Sequence, residues 1–388
     1  MEKFHALIIG GGGTGAAVAH DLALRGLKVT LVERGEVTSG TTGRHHGLLH
    51  SGARYAVNDQ ESAIECIEEN QILRRIAPGS FEENDGLFVA VTDEDVEYSH
   101  LFLEGCAECG IPTQRLTPEE AFRLEPNLSP DTILAVRIPD ATMDAMRLPL
   151  RFFATAKANG AEVRPFTEVL DVVKSGNTVT GIRVTDHASN RQYEISADIV
   201  INAAGPWSGQ IAHMAGVDVP IRPSPGVMLA LRGRLCNMVI NRMTASGDGD
   251  IIVPQRGLSV VGTSSWVVED PDDLGLPEDH VQRMYDEGSK MIPLVREAPF
   301  RAAWSAARPL IGPRKADADS GRELSRTFKC FDHAPEGVEG FVTITGGKAT
   351  TLRGMAEATA DVVVDKLGLD VPCRTKESEL LPFEAYYA

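Results

Sequence analysis

The sequence predicts an α/β fold in which a parallel, Rossmann-type sheet carries a smaller α+β cap. Three observations predict it. Residues 5–9 form a near-continuous apolar run, as a strand buried on both faces requires. The run enters Gly10-Gly11-Gly12-Gly13-Thr14-Gly15, and residues 16–25 then follow a helical pattern that Gly26 stops. A second strand, 28–32, ends at Glu33, which completes a βαβ unit.

Each part of that unit has a physical task. The turn contains GxGxxG at Gly10, Gly12 and Gly15. The first glycine permits a tight turn, the second lets the backbone approach a pyrophosphate, and the third lets helix and strand pack closely. The helix N-terminus offers free N–H groups to the anion. Glu33 accepts hydrogen bonds from a ribose, and its charge disfavours a 2′-phosphate, which argues against NADP. The motif alone does not separate NAD from FAD.

Further along, residues 38–52 are rich in Gly, Thr, Ser and His and read as a long functional loop. A helix is expected over 61–76 and a strand over 86–91. Pro118, Pro126, Pro130 and Pro139 then break the chain into short pieces, marking a crossover between domains. Helix signals return over 146–159, followed by strands at 162–166, 168–174, 178–185 and 195–203. Strands at 227–231, 251–253 and 259–262 suit an antiparallel cap sheet. A buried strand over 341–345 and a helix over 350–366 close the pattern, with no internal repeat.

Composition narrows the function. A chain of 388 residues with net charge −17 disfavours general attraction to nucleic acid or anionic lipid, so an anionic substrate needs local basic residues. No apolar run approaches the roughly 18 residues a membrane span needs. The start lacks a basic segment followed by a long apolar stretch, and the expected location is cytoplasmic. Six scattered cysteines suit a reducing compartment. Cys106 and Cys109 form a lone CxxC that reads as two incidental helix cysteines. His45, His46 and His50 lack the carboxylate partners of a metal site, and no metal is expected.

Two segments decide the cofactor: residues 40–55, ending HSGARY, and 345–351, TGGKATT. With GGGGTGAA at 10–17, VINAAGPW at 200–207, IIVP at 251–254 and ARPL at 307–310, they resemble the FAD-dependent glycerol-3-phosphate dehydrogenases. The likeness is strongest to the catalytic subunit of the bacterial anaerobic enzyme, within the D-amino-acid-oxidase-like superfamily. The resemblance implies a discontinuous FAD-binding domain, 1–85, 145–215 and 305–388, and a substrate cap, 86–144 and 216–304.

It also implies roles. Gly10, Gly12, Gly13, Thr14, Gly15, Glu33 and Arg34 hold the pyrophosphate and ribose. Thr41, Thr42, His46, Gly47 and Leu48 run along the flavin, with Val169, Ala203 and Gly205. Gly347, Lys348, Ala349 and Thr350 complete the cofactor site. Arg54 and Arg308 match the residues that hold the substrate phosphate, Tyr55 adds a hydroxyl, and Lys348 lies near the alcohol. His50 matches a histidine beside the reacting carbon.

Oxidising a secondary alcohol needs a hydride acceptor and a base. Flavin N5 supplies the first. His50 suits the second because imidazole titrates near neutral pH, with Lys348 the other candidate for the base or else a stabiliser of the developing alkoxide or the reduced flavin's negative charge; Arg308 is the third candidate catalytic residue. A Walker loop around Lys348 is excluded because the position five before Gly347 is Val342. The chain departs from the family where it ends at Ala388 without a cysteine-rich region, where Pro223-Ser224-Pro225-Gly226 lacks a lysine, and where Leu352 replaces an aromatic. The expected partners are a phosphorylated polyol and an electron acceptor: a quinone, a partner subunit that also brings the chain to a membrane surface, or another acceptor. Two other readings stay open: a 2-hydroxy acid or amino acid oxidase or dehydrogenase in which Arg308 binds a carboxylate, and a non-catalytic flavin-holding subunit of an assembly.

Overall fold

The strand His5–Ile9 is buried at its last four positions and accepts a parallel neighbour on each side, Lys28–Val32 and Ile199–Asn202. In the computed structural model, which describes residues 3–312 and 326–388, these belong to a six-stranded sheet. Its order is Phe328–Asp332, Phe341–Gly346, Ile199–Asn202, His5–Ile9, Lys28–Val32 and Glu162–Arg164. Only the edge strand Phe328–Asp332 runs antiparallel to its neighbour. The helix Gly13–Leu24 begins inside the glycine run, and Gly26, at φ +88°, lets the chain turn back into the sheet. That helix packs against Arg147–Ala158 and Leu352–Lys366, burying Leu22, Phe152, Phe153, Met355 and Val363. Each such side chain contributes about 2–3 kcal/mol when fully buried.

A second sheet has eight strands. Its order is Phe300–Ile311, Ile221–Arg232, Leu258–Gly262, Ile251–Gln255, Val239–Arg242, Gly86–Ala90, Leu134–Ile138 and Gln114–Leu116. The sheet is mixed rather than wholly antiparallel, because Val239–Arg242 pairs in parallel with Gly86–Ala90. Phe300–Ile311 pairs along its length with Ile221–Arg232, so this strand crosses the expected boundary at residue 305 and lies with the eight-stranded sheet. Residues 313–325 of the expected final segment lie outside the described residues.

The single strand expected over 195–203 is two. Arg191–Ser196 closes a three-stranded antiparallel meander with Thr167–Ser175 and Thr178–Asp186, whereas Ile199–Asn202 enters the parallel sheet. Asp198 makes the change: its carboxylate accepts the N–H of His5 at 2.7 Å and its own N–H donates to the His5 carbonyl at 2.9 Å. The helix expected from 350 begins at Leu352, after a tight 3-10 turn at Ala349–Thr351. The proline-rich stretch contains the helix Pro118–Leu124, capped reciprocally by Thr117 and Glu120.

Candidate active site

A cavity of about 950 Å³ extends from the glycine turn to the eight-stranded sheet. At its nucleotide end Gly10 adopts φ +110°, and a Cβ there would stand 2.6 Å from the Ala203 carbonyl oxygen. A Cβ on Gly15 would meet the Gly10 carbonyl oxygen at 2.0 Å, so helix and strand approach only because both are glycine. Gly12, Gly13 and Thr14 line the cavity, whereas Gly15 packs behind it. The Glu33 carboxylate accepts N–H groups from Gly11 at 2.7 Å and Gly35 at 2.8 Å. One bond on each oxygen leaves further acceptor capacity for a ribose.

Beyond the glycines, Thr42 Oγ1 accepts the Gly13 N–H at 2.9 Å and Thr41 Oγ1 donates to the Ala307 carbonyl at 2.7 Å. These bonds hold the turn Thr41–Arg44 between the start of the helix Gly13–Leu24 and the strand Phe300–Ile311 of the eight-stranded sheet. Gly47, at φ +79°, sits behind the wall under Gln255, which donates to the carbonyls of His46, Gly47 and Met143. Thr350 is likewise buried behind the wall. The other residues assigned to the cofactor by resemblance line the cavity, Val169, Ala203 and Gly205 among them. Arg34 lines it too, but its guanidinium pairs with Asp272 at 2.6 Å and stacks 4.5 Å from the Trp207 ring centre.

The opposite end of the cavity gathers charge. Arg54, on the turn Ala53–Tyr55, pairs through Nη2 with both carboxylate oxygens of Asp250. Arg308 donates to the carbonyls of Ser224 at 3.2 Å, Pro225 at 3.0 Å and Ser264 at 2.8 Å. Gly226 makes room for it, since a Cβ there would come within 2.5 Å of Arg308 Nη2. Lys348 Nζ lies 5.1 Å from the Tyr55 ring centre, donates to the Arg326 carbonyl at 2.9 Å and stands 3.7 Å from Glu65. The His50 and Tyr55 rings are 5.4 Å apart.

The histidines are held neutral. His50 is partly open to the cavity, yet the surrounding protein, then His46, Arg54 and Lys348, push its pKa well below the ordinary imidazole value. Burial lowers His45 to about 4, and burial with neighbouring cations lowers His46 to about 3. His46 Nδ1 and Thr38 Oγ1 are buried without a hydrogen-bond partner. The unpartnered His46 nitrogen, in a wall where Gly10, Gly226 and Gly347 leave no room for a Cβ, fits a cavity built to hold a ligand.

Sequence reasoning missed Asp250, Arg326, Asp272 and Trp207. Asp250 and Asp272 become visible only through their pairing with arginines distant in sequence, and Arg326 reaches the wall beside Lys348 through the fold. Cys106 and Cys109 end the helix Asp93–Glu108, and burial pushes the Cys106 thiol up to about 12.

A glycine cradle with a ribose acceptor, opening on a chamber of arginine, lysine and neutral histidine, defines a nucleotide-dependent redox site. The chain belongs to the family of FAD-dependent oxidoreductases, whose pattern it matches over residues 5–362, and its cofactor is FAD. It is 45% identical over 386 residues to the A1 subunit of the anaerobic glycerol-3-phosphate dehydrogenase of Haloferax volcanii, covering 96% of this chain and 66% of that protein. It is 42% identical over 382 residues to the counterpart subunit of the Escherichia coli K12 anaerobic glycerol-3-phosphate dehydrogenase, covering 98% and 70%. The chain thus spans about two thirds of the length of these relatives. Among solved structures, the FAD complex of glycerol-3-phosphate dehydrogenase from Bacillus halodurans superposes with a TM-score of 0.75 at 23% identity, over 98% of this chain and 68% of that one. The L-proline dehydrogenase of P. horikoshii gives 0.77 at 22%, over 94% of each chain. These structural likenesses show the fold alone.

Proposed function

We propose that the chain oxidises sn-glycerol 3-phosphate, or a closely related polyol phosphate, to the corresponding ketone; for glycerol 3-phosphate this is dihydroxyacetone phosphate. The observation that carries the reading is the meeting of Arg54, Arg308, Lys348 and His50 on the cavity of the glycine cradle, in a chain of net charge −17. A phosphate ester needs focused positive charge in such a chain, and arginine offers donors matched to phosphate oxygens. The names of the relatives from Haloferax volcanii and Escherichia coli favour the same substrate class.

In this reading Gly10, Gly12, Gly13, Thr14 and Glu33 hold the pyrophosphate and ribose, and Thr42, Gly347 and Ala349 lie along the flavin. Bound FAD supplies the acceptor for the hydride leaving the carbinol carbon. Arg54 and Arg308 hold the phosphate, with Tyr55 offering its hydroxyl. Neutral His50 takes the hydroxyl proton, and Lys348 stabilises charge developing on that oxygen. The six-stranded sheet and its helices form the FAD-binding part from separated segments, and the eight-stranded sheet forms the substrate cap.

The electrons then pass to a quinone, a partner subunit or another acceptor; the relatives' designation as subunits supports a partner. Six free cysteines and the acidic balance support action in the cytoplasm, or at a membrane surface through that partner. Among the described residues no helix is long and apolar enough to cross a membrane.

The test is dye-coupled turnover of the FAD-loaded chain with sn-glycerol 3-phosphate, glycerol, lactate and glycine. The phosphate ester should be turned over with the highest kcat/KM. A higher value for lactate or glycine would transfer the site to carboxylate substrates.

A further inference from the structure

We infer that Asp250 is a positioning residue for anion recognition: it grips one side of the Arg54 guanidinium so that the other nitrogen is presented to the substrate anion. The inference rests on the phosphate-binding role proposed for Arg54 and adds a residue that this role does not itself require.

Arg54 and Asp250 form a buried pair, with side-chain exposures of 8% and 5%. Both carboxylate oxygens engage Nη2, and Nη2 also reaches the Gly247 carbonyl. Nη1, in contrast, is buried with no hydrogen-bond partner. Leaving a guanidinium nitrogen unsatisfied in a protein wall is costly, and an anion arriving from the cavity relieves that cost. Arg54 lines the cavity and Asp250 does not, so the carboxylate stands behind the cation.

The backing is rigid. The Gly247 N–H donates to Asp250 Oδ2 at 2.7 Å, and the Asp250 carbonyl accepts the Arg242 N–H at 3.0 Å. Asp250 directly precedes the strand Ile251–Gln255, next to Val239–Arg242 in the eight-stranded sheet. On the other side, Gly52 at φ +94° fixes the turn carrying Arg54; a Cβ there would meet the Ala63 carbonyl oxygen at 2.2 Å. Arg54 is thus fixed at both ends before any anion arrives, and pre-organisation of this kind reduces the ordering cost of binding.

Two effects of Asp250 oppose each other. Its geometry helps an anion by aiming Arg54, and its negative charge repels the same anion. Aim dominates, so removing the carboxylate weakens anion binding. Inorganic phosphate is titrated calorimetrically into FAD-loaded wild type, Asp250→Asn, Arg54→Met and the double variant. Asp250→Asn should bind phosphate roughly tenfold to a hundredfold more weakly, with flavin content unchanged, and should cost nothing further in the Arg54→Met background. Unchanged or tighter binding in Asp250→Asn would overturn the inference, as would an equal loss in the Arg54→Met background. Should Asp250→Asn fail to fold, Asp250→Glu keeps the charge but displaces the guanidinium, and unaltered phosphate affinity there overturns the inference equally. Flavin bleaching of wild type by sn-glycerol 3-phosphate reports separately on the proposed reaction, so the two ideas fail by different results.

Discussion

The backbone N–H of His50 donates to Thr350 Oγ1 at 3.0 Å, fastening the histidine loop to the segment that carries Lys348. Asn70 Nδ2 holds the other side of the residue by donating to the His50 carbonyl at 3.1 Å. A histidine and a lysine 298 positions apart in sequence thereby share one wall.

Thr350→Val should therefore loosen His50. Thr350 is fully buried, and the variant leaves a donor without its acceptor at a cost of about 1–3 kcal/mol. Thermal melting should show the lost stability and turnover should show a lower kcat; an unaltered melt and kcat would mean the bond is incidental.

His50→Asn should lower kcat by roughly a hundredfold to ten-thousandfold, the usual share of a positioned base. A base acts when neutral, so activity is present above its pKa and lost as pH falls through it. Because burial and the neighbouring charges depress His50 well below its ordinary value, the acid limb of kcat/KM should lie below pH ~6.5. An acid limb at or above that value would contradict the assignment.

Arg308→Ala should raise the KM for sn-glycerol 3-phosphate by about thirtyfold or more, since a buried charge-assisted contact is worth about 2–5 kcal/mol. It should also lower the melting temperature, because three backbone carbonyls lose their donor. Flavin content should stay level with wild type. A variant with the wild-type KM would remove Arg308 from the substrate.

His20 supplies a stability prediction away from the chemistry. Both its ring nitrogens are buried without partners, and burial, with Arg353 nearby, lowers its pKa to about 4. The folded chain thus binds its proton later than the unfolded chain does. The stability associated with neutral His20 is fully present above pH ~6.5 and is lost as pH falls towards 4, by up to ~3 kcal/mol. His20→Leu should resist acid better than wild type across that window. Parallel melting curves at pH 7 and pH 5 for the two proteins would refute this.

The sequence made the cofactor end legible because it is local: strand, glycine turn, helix and Glu33 are contiguous, and period and spacing declare them. The substrate end is legible only through whole segments such as HSGARY and TGGKATT, because its groups converge from separate strands. Asp250 and Arg326 carry no local signal, and an acid beside glycines reads as a turn until the fold sets it against Arg54. The strand Phe300–Ile311 escaped for a related reason. Its half-buried small and charged residues have no apolar alternation, and pairing with Ile221–Arg232 specifies it.

The most direct measurement is the visible spectrum of the FAD-loaded chain without oxygen, before and after sn-glycerol 3-phosphate. The oxidised flavin bands should bleach with that substrate and remain with glycerol at the same concentration. Bands that persist with the phosphate ester, or bleach with a hydroxy acid or amino acid instead, would contradict the proposed substrate.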